Sequence, residues 1–80
     1  MERRITVSYS LYDLMPGQSG VVTALETTGS MRRRLMDIGL VKGTFVTCVG
    51  VSPFGDPSAY LIRGAVIALR KQDSQTVLIH

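Results

Sequence analysis

Only one segment of this 80-residue chain has helical periodicity. On both sides of it lie strand-like runs cut by glycine and proline, so the chain can fold only as a small sheet curled around one short helix. The segment is 29–43, GSMRRRLMDIGLVKG. Met31, Leu35 and Ile38 recur at helical spacing and are expected to form the buried stripe. Ser30 stands where an N-cap side chain accepts a free amide of the first turn, and Gly39 stands where a left-handed residue closes a helix. A helix of about ten residues is unstable alone and needs tertiary packing.

The rest of the chain reads as strands and turns. Residues 1–10 alternate weakly, with Ile5, Val7 and Tyr9 on one side and Arg4, Thr6 and Ser8 on the other, as in an edge strand or an ordered arm. Ser10 can cap a single helical turn over LYDL, which Pro16 and Gly17 end. SGVVTALE reads as the first secure strand and TFVTCVGV as the next, with Cys48 in its middle. SPFGDPS must be a defined loop, because its prolines cannot donate to a ladder. AYLIRGAVIALR reads as two strands folded at Arg63-Gly64, KQDSQ as a polar turn with at most one helical turn, and TVLIH as a terminal strand. Five to six short strands and one short α-helix predict a mainly β fold, a small β-barrel whose closure protects its edges.

At this length the chain is one domain that buries only about 60 to 65% of its unfolded surface, which leaves little room for a deep catalytic cleft. With 45% apolar and 19% charged residues it should nevertheless fold. A net charge of +3 favours acidic partners weakly and falls short of a nucleic-acid-binding surface, so no nucleic-acid partner is expected. The single Cys48 excludes an internal disulfide and suits a reducing, cytoplasmic setting. The N-terminal residues lack the continuous apolar run of a signal peptide. No run approaches the roughly 20 apolar residues of a spanning helix, so membrane association is expected to go through a partner rather than by direct insertion.

Candidate chemistry is sparse. Neither Cys-x-x-Cys nor His-x-x-x-His occurs, so no metal site and no cofactor are expected; Cys48 and His80 could at most hold an ion adventitiously. There is no Gly-rich phosphate loop, no nucleophile elbow and no spaced carboxylate pair, so no catalytic residue is assigned and the chain is read as a non-enzyme. The partner-binding candidates are Arg32, Arg33, Arg34, Met36, Phe54 and Asp56. The arginine triple is either a solvated helix face or a docking site for an acidic surface. Cations in the first turns would oppose the helix dipole, and the three residues face at least two directions, so one or two can pair with Asp37 or Asp56 while another stays free. Met36 lies off the Met31, Leu35, Ile38 stripe and is expected to be exposed beside them as an adaptable contact. In SPFGDP, Phe54 either tucks back onto the barrel while Asp56 caps local amides, or it offers a low-entropy aromatic contact.

RRRLMDIGLVKGT followed by SPFGDPSAYLIRGAVIALRK resembles the FeoA family of bacterial ferrous iron uptake. The likeness includes the PGQSGVV entry, the Gly39-Leu40 step, the turn ending at Gly43, the PFGDP loop, and the IRG hairpin followed by ALRK and Asp73. It departs from the family's frequent Pro-Gly turn in using Lys42-Gly43 and carries a longer N-terminal arm. The resemblance implies an SH3-like barrel over 11–80, preceded by the arm of 1–10. It also implies a non-catalytic cytoplasmic accessory role beside the ferrous iron permease FeoB, whose GTP-binding domain faces the cytosol. The arm leaves room for an extra strand and for a homodimer. The alternative is a free-standing relative of the SH3-like domain of iron-dependent transcriptional repressors, acting in regulation. That role would need a helix-turn-helix domain and metal ligands, and the sequence displays neither.

Overall fold

Turn chemistry sets the order of the elements. The computed structural model describes residues 9–80, so the alternation at Ile5 and Val7, with most of the expected arm, lies outside the described residues. The chain begins with β1 (Tyr9–Ser10), a 3-10 turn (Leu11–Asp13) and β2 (Ser19–Leu25). Helix α1 (Gly29–Asp37) follows, then β3 (Phe45–Val51), β4 (Ser58–Ile62), β5 (Ala65–Leu69), the single turn α2 (Lys71–Ser74) and β6 (Val77–Ile79). The β4–β5 hairpin turns on Arg63 and Gly64, both at positive φ (50° and 86°), which is the two-residue geometry that matches strand twist.

All strand pairs are antiparallel, in the order β1-β6-β2-β3-β4-β5. The curl is made in β2: Ser19 to Val21 pair with β3, while Val22 to Leu25 pair with β6 across a bulge at Thr23. Gly20 permits the fold-over, because a Cβ there would stand 2.7 Å from Ile79 Cδ1. The expected closure is not reached. Among the described residues no pairing joins β1 to β5, so the SH3-like sheet is open. Met31 and Arg34 of α1 share a groove with Ala68 of β5 and Asp73 of α2.

One core lies inside the curl. Val22, Val46, Cys48, Tyr60, Ile62 and Leu69 enter it from the strands, and Leu11, Leu35 and Leu40 enter from the connections. Tyr60 is fully buried, and its hydroxyl donates to the Leu11 carbonyl oxygen at 3.1 Å, which ties the 3-10 turn to β4. In that turn Asp13 supplies the cap, accepting from the Ser10 amide at 2.9 Å; the Ser10 hydroxyl also donates to Asp13, at 3.4 Å.

The helix start differs from expectation. Thr28 is the N-cap residue and Ser30 lies inside the helix, so Ser30 caps nothing. Of the predicted stripe only Leu35 is fully buried; Met31 and Ile38 pack against the core half-buried, because a nine-residue helix at the rim turns one residue squarely inward. The helix end matches expectation. Gly39 has φ 106°, its amide donates to the Met36 carbonyl at 3.0 Å, and the Leu40 amide donates to the Leu35 carbonyl at 3.0 Å. This Schellman arrangement delivers Leu40 into the core.

Candidate partner-docking surface

The exposed side of α1 is built by what its inward residue leaves over. With Leu35 in the core, the arginines fan to both flanks of the helix. Arg34 turns toward α2, where its guanidinium lies 3.8 Å from the buried carboxylate of Asp73 and 4.0 Å from the Met31 sulfur. Arg32 turns toward the end of β2 and donates to the Leu25 carbonyl oxygen at 3.3 Å. Arg33 has no hydrogen-bond or ion-pair partner among the described residues. The expectation that one or two arginines would be held internally is met, but through Leu25 and Asp73 rather than Asp37 or Asp56.

The dipole conflict is smaller than the sequence implied. The helix ends at Asp37, which places Arg34 in the last turn, where a cation is favourable, and Arg32 and Arg33 in the middle. Nothing in the helix's own field penalises the triple.

Arg32, Arg33 and Met36 come together as predicted. With Gly29 and Asp37 they line a shallow groove along α1, and Met36 is 41% exposed. A second groove adjoins it through Arg32 and Met36, and is lined also by Leu25, Val41 and Lys42. The two grooves together bring a thioether and two aliphatic side chains beside three cations, Arg32, Arg33 and Lys42, and one carboxylate, Asp37, a net basic surface suited to an acidic, partly apolar segment. Leu25, Val41 and Lys42 were missed because they lie at a strand end and in a turn. The Lys42-Gly43 departure in the turn was the one available signal.

Phe54 and Asp56 form no common site with the arginines. Phe54 is 94% exposed at the tip of the β3–β4 loop, so it does not tuck back onto the sheet. Asp56 is committed internally: its carboxylate accepts from the Lys71 amide at 2.8 Å, at the start of α2. It caps an amide as expected, on a distant element instead of its own loop. Among the described residues no three His, Cys, Asp or Glu side chains stand close enough to hold a metal ion, and no helix is long and apolar enough to cross a membrane.

Comparison with known proteins gives consistent matches. The family described as FeoA domain matches residues 9–80. A Porphyromonas gingivalis protein, a fusion of Fe(2+) transport protein A with the Fe(2+) transporter FeoB, is 31% identical over 67 residues. That match covers 84% of this chain, which spans only 8% of the fusion protein. The FeoA-like protein of Clostridium acetobutylicum superposes with a TM-score of 0.85 at 30% identity, covering 95% of this chain and 88% of that one. Stenotrophomonas maltophilia FeoA, a prokaryotic SH3 domain protein solved with zinc, superposes with a TM-score of 0.79 at 28% identity, covering 89% of this chain and 88% of that one.

Proposed function

The chain belongs to the FeoA family, and from that premise we propose that it is a non-catalytic, cytoplasmic accessory protein of ferrous iron uptake that docks on the GTP-binding cytoplasmic part of an FeoB-type permease and modulates transport. The single observation that carries this reading is the matched relative in which a domain like this one is joined to the Fe(2+) transporter FeoB. Fusion holds two partners at high effective concentration, which selection favours when the separate chains work by contact.

The docking surface is the α1 groove. Arg33 has no partner among the described residues, Arg32 is held only by a carbonyl, and Met36 is exposed between them, so an acidic segment of the permease can take both cations without breaking a core contact. Phe54 is a second contact of the same docking, on a loop stiffened by Pro53 and Pro57. Asp56 contributes indirectly, by tying that loop to α2.

The test is direct binding of the purified chain to the cytoplasmic domain of its permease, with ferrous iron uptake followed in a strain lacking the gene. Binding and reduced uptake are expected. No binding together with normal uptake would sink the proposal. Unchanged affinity after Arg32→Ala and Arg33→Ala together would remove only the assignment to α1.

A further inference from the structure

The open sheet leaves β5 with a bare edge. As the end strand it pairs with β4 alone. The turn at Arg63 and Gly64 fixes which backbone groups that pairing uses. Ile62 and Ala65 flank the turn as a hydrogen-bonded pair, so Tyr60 with Ile67 and Ser58 with Leu69 are the other bonded pairs of the ladder. Val66 and Ala68 fall between them, and their N–H and C=O groups point out of the edge. Beyond the strand ladders, no backbone bond among the described residues reaches either of them.

The free edges of soluble proteins are ordinarily blunted by a proline, a bulge, a charge or extreme shortness. β5 has none of these: it is five residues long, contains no proline or charged residue, and stays in register with β4 throughout. Ala65, Val66 and Ala68 are all exposed, so bulky side chains do not shield the edge.

One end of this edge is cationic. Ala68 lines a groove with Arg34, Arg70 and Asp73. The carboxylate of Asp73 is buried and faces Arg34 at 3.8 Å, whereas Arg70 is exposed and has no ion-pair partner among the described residues. A second copy of this chain would satisfy the edge poorly. Paired antiparallel, with Val66 opposite Ala68, it would bring the Arg63-Gly64 turn to Arg70, which adds a cation and no acid. The charge favours a foreign strand that carries an acid at this end.

We propose that the free edge of β5 accepts an extended acidic segment of another protein as an added antiparallel strand. Val66 and Ala68 exchange backbone hydrogen bonds with it, and Arg70, beside Arg34, meets an acidic side chain near its N-terminal end. Alternate side chains of the added strand lie next to Val66 and Ala68, on the outward side where Leu61 and Phe45 are also exposed apolar residues. The contact is separate from permease docking at α1, since no residue lining that surface lines this groove.

The test is an NMR titration of the isotope-labelled chain with the acetylated, amidated hexapeptide Glu-Thr-Val-Thr-Val-Thr, read by amide shifts and amide hydrogen exchange. In the proposed register its glutamate lies beside Arg70 and its valines lie opposite Ala68 and Val66. Saturable binding is expected, with exchange slowed at Val66 and Ala68 and unchanged at Ile67, whose amide already serves β4. Methylating the backbone nitrogens of the two valines should weaken binding at least about tenfold, and methylating that of the threonine between them should leave it intact. Arg70→Gln, or glutamine in place of the peptide's glutamate, should weaken it about threefold. Ala68→Pro removes an edge N–H that the β4 ladder does not use, and should weaken binding at least about tenfold; the methylated peptides keep the test valid if that variant does not fold. Arg32→Ala with Arg33→Ala should leave binding unchanged. The absence of saturable binding, or binding indifferent to methylation of the valines, would overturn the proposal. So would slow exchange of Val66 and Ala68 in the free chain, which would show the edge already covered.

Discussion

Tyr60 shows how one side chain holds distant parts of this small core. Burial pushes its phenol pKa above the ordinary value near 10, and the nearby Ser74 and Ser58 hydroxyls oppose the shift without cancelling it. Because the folded chain keeps this proton longer than the unfolded chain, stability is full below about pH 10 and falls as pH rises through the raised value. Tyr60→Phe should remove that alkaline loss and cost about 1 kcal/mol at neutral pH, since the bond from β4 to the 3-10 turn is lost and the Leu11 carbonyl keeps only the Leu14 amide as donor. Urea unfolding at pH 7 and pH 10.5 checks both effects. Gly39 is the second sensitive residue. It has positive φ, and an added Cβ would stand 2.9 Å from Arg63 Cδ. Gly39→Ala should therefore lower stability by roughly 1–2 kcal/mol, and an unchanged unfolding midpoint would show that the αL cap is dispensable. Gly39 was legible in the sequence because a helix-ending glycine has local causes. Tyr60 was not, because nothing near it in the chain points to a carbonyl in the 3-10 turn.

At the scale of elements, α1 separates what sequence periodicity can and cannot resolve. Its existence, its glycine end and the exposure of Met36 followed from spacing alone. Its start did not, because Thr28, Gly29 and Ser30 are all plausible first-turn residues, and the structure makes Thr28 the N-cap with no side-chain hydrogen bond. The partners of the arginines were also hidden, since Asp73 and the Leu25 carbonyl reach α1 only through the fold. The three arginines should therefore behave differently on mutation. Arg34 is largely exposed and its ion pair with Asp73 is long, so Arg34→Gln should cost less than about 1 kcal/mol and leave partner binding nearly intact. Arg33→Ala should leave stability unchanged and weaken partner binding. Thermal unfolding and a binding titration on the two variants separate these roles, and equal behaviour of the pair would contradict the division of α1 into a tethered and a free flank.

At the scale of the whole molecule, strand-forming runs and turn residues made the mainly β fold and the strand count legible. Two properties were not. β2, shared between β3 and β6, curls the sheet, yet the sheet stays open because no pairing among the described residues joins its end strands β1 and β5. The apolar outer face was hidden because β3, β4 and β5 are apolar at alternate positions of both parities, so the runs read as buried strands on either side. The molecule is a small open sheet with a basic, Met-centred groove along its helix, the surface we propose recognises the permease. Isothermal titration of the permease's cytoplasmic domain with the wild-type chain and with the Arg33→Glu, Met36→Asp double variant tests it most directly. Saturable binding of the wild type and at least about tenfold weaker binding of a fully folded double variant are expected; equal affinity of the two would remove the groove from the interface.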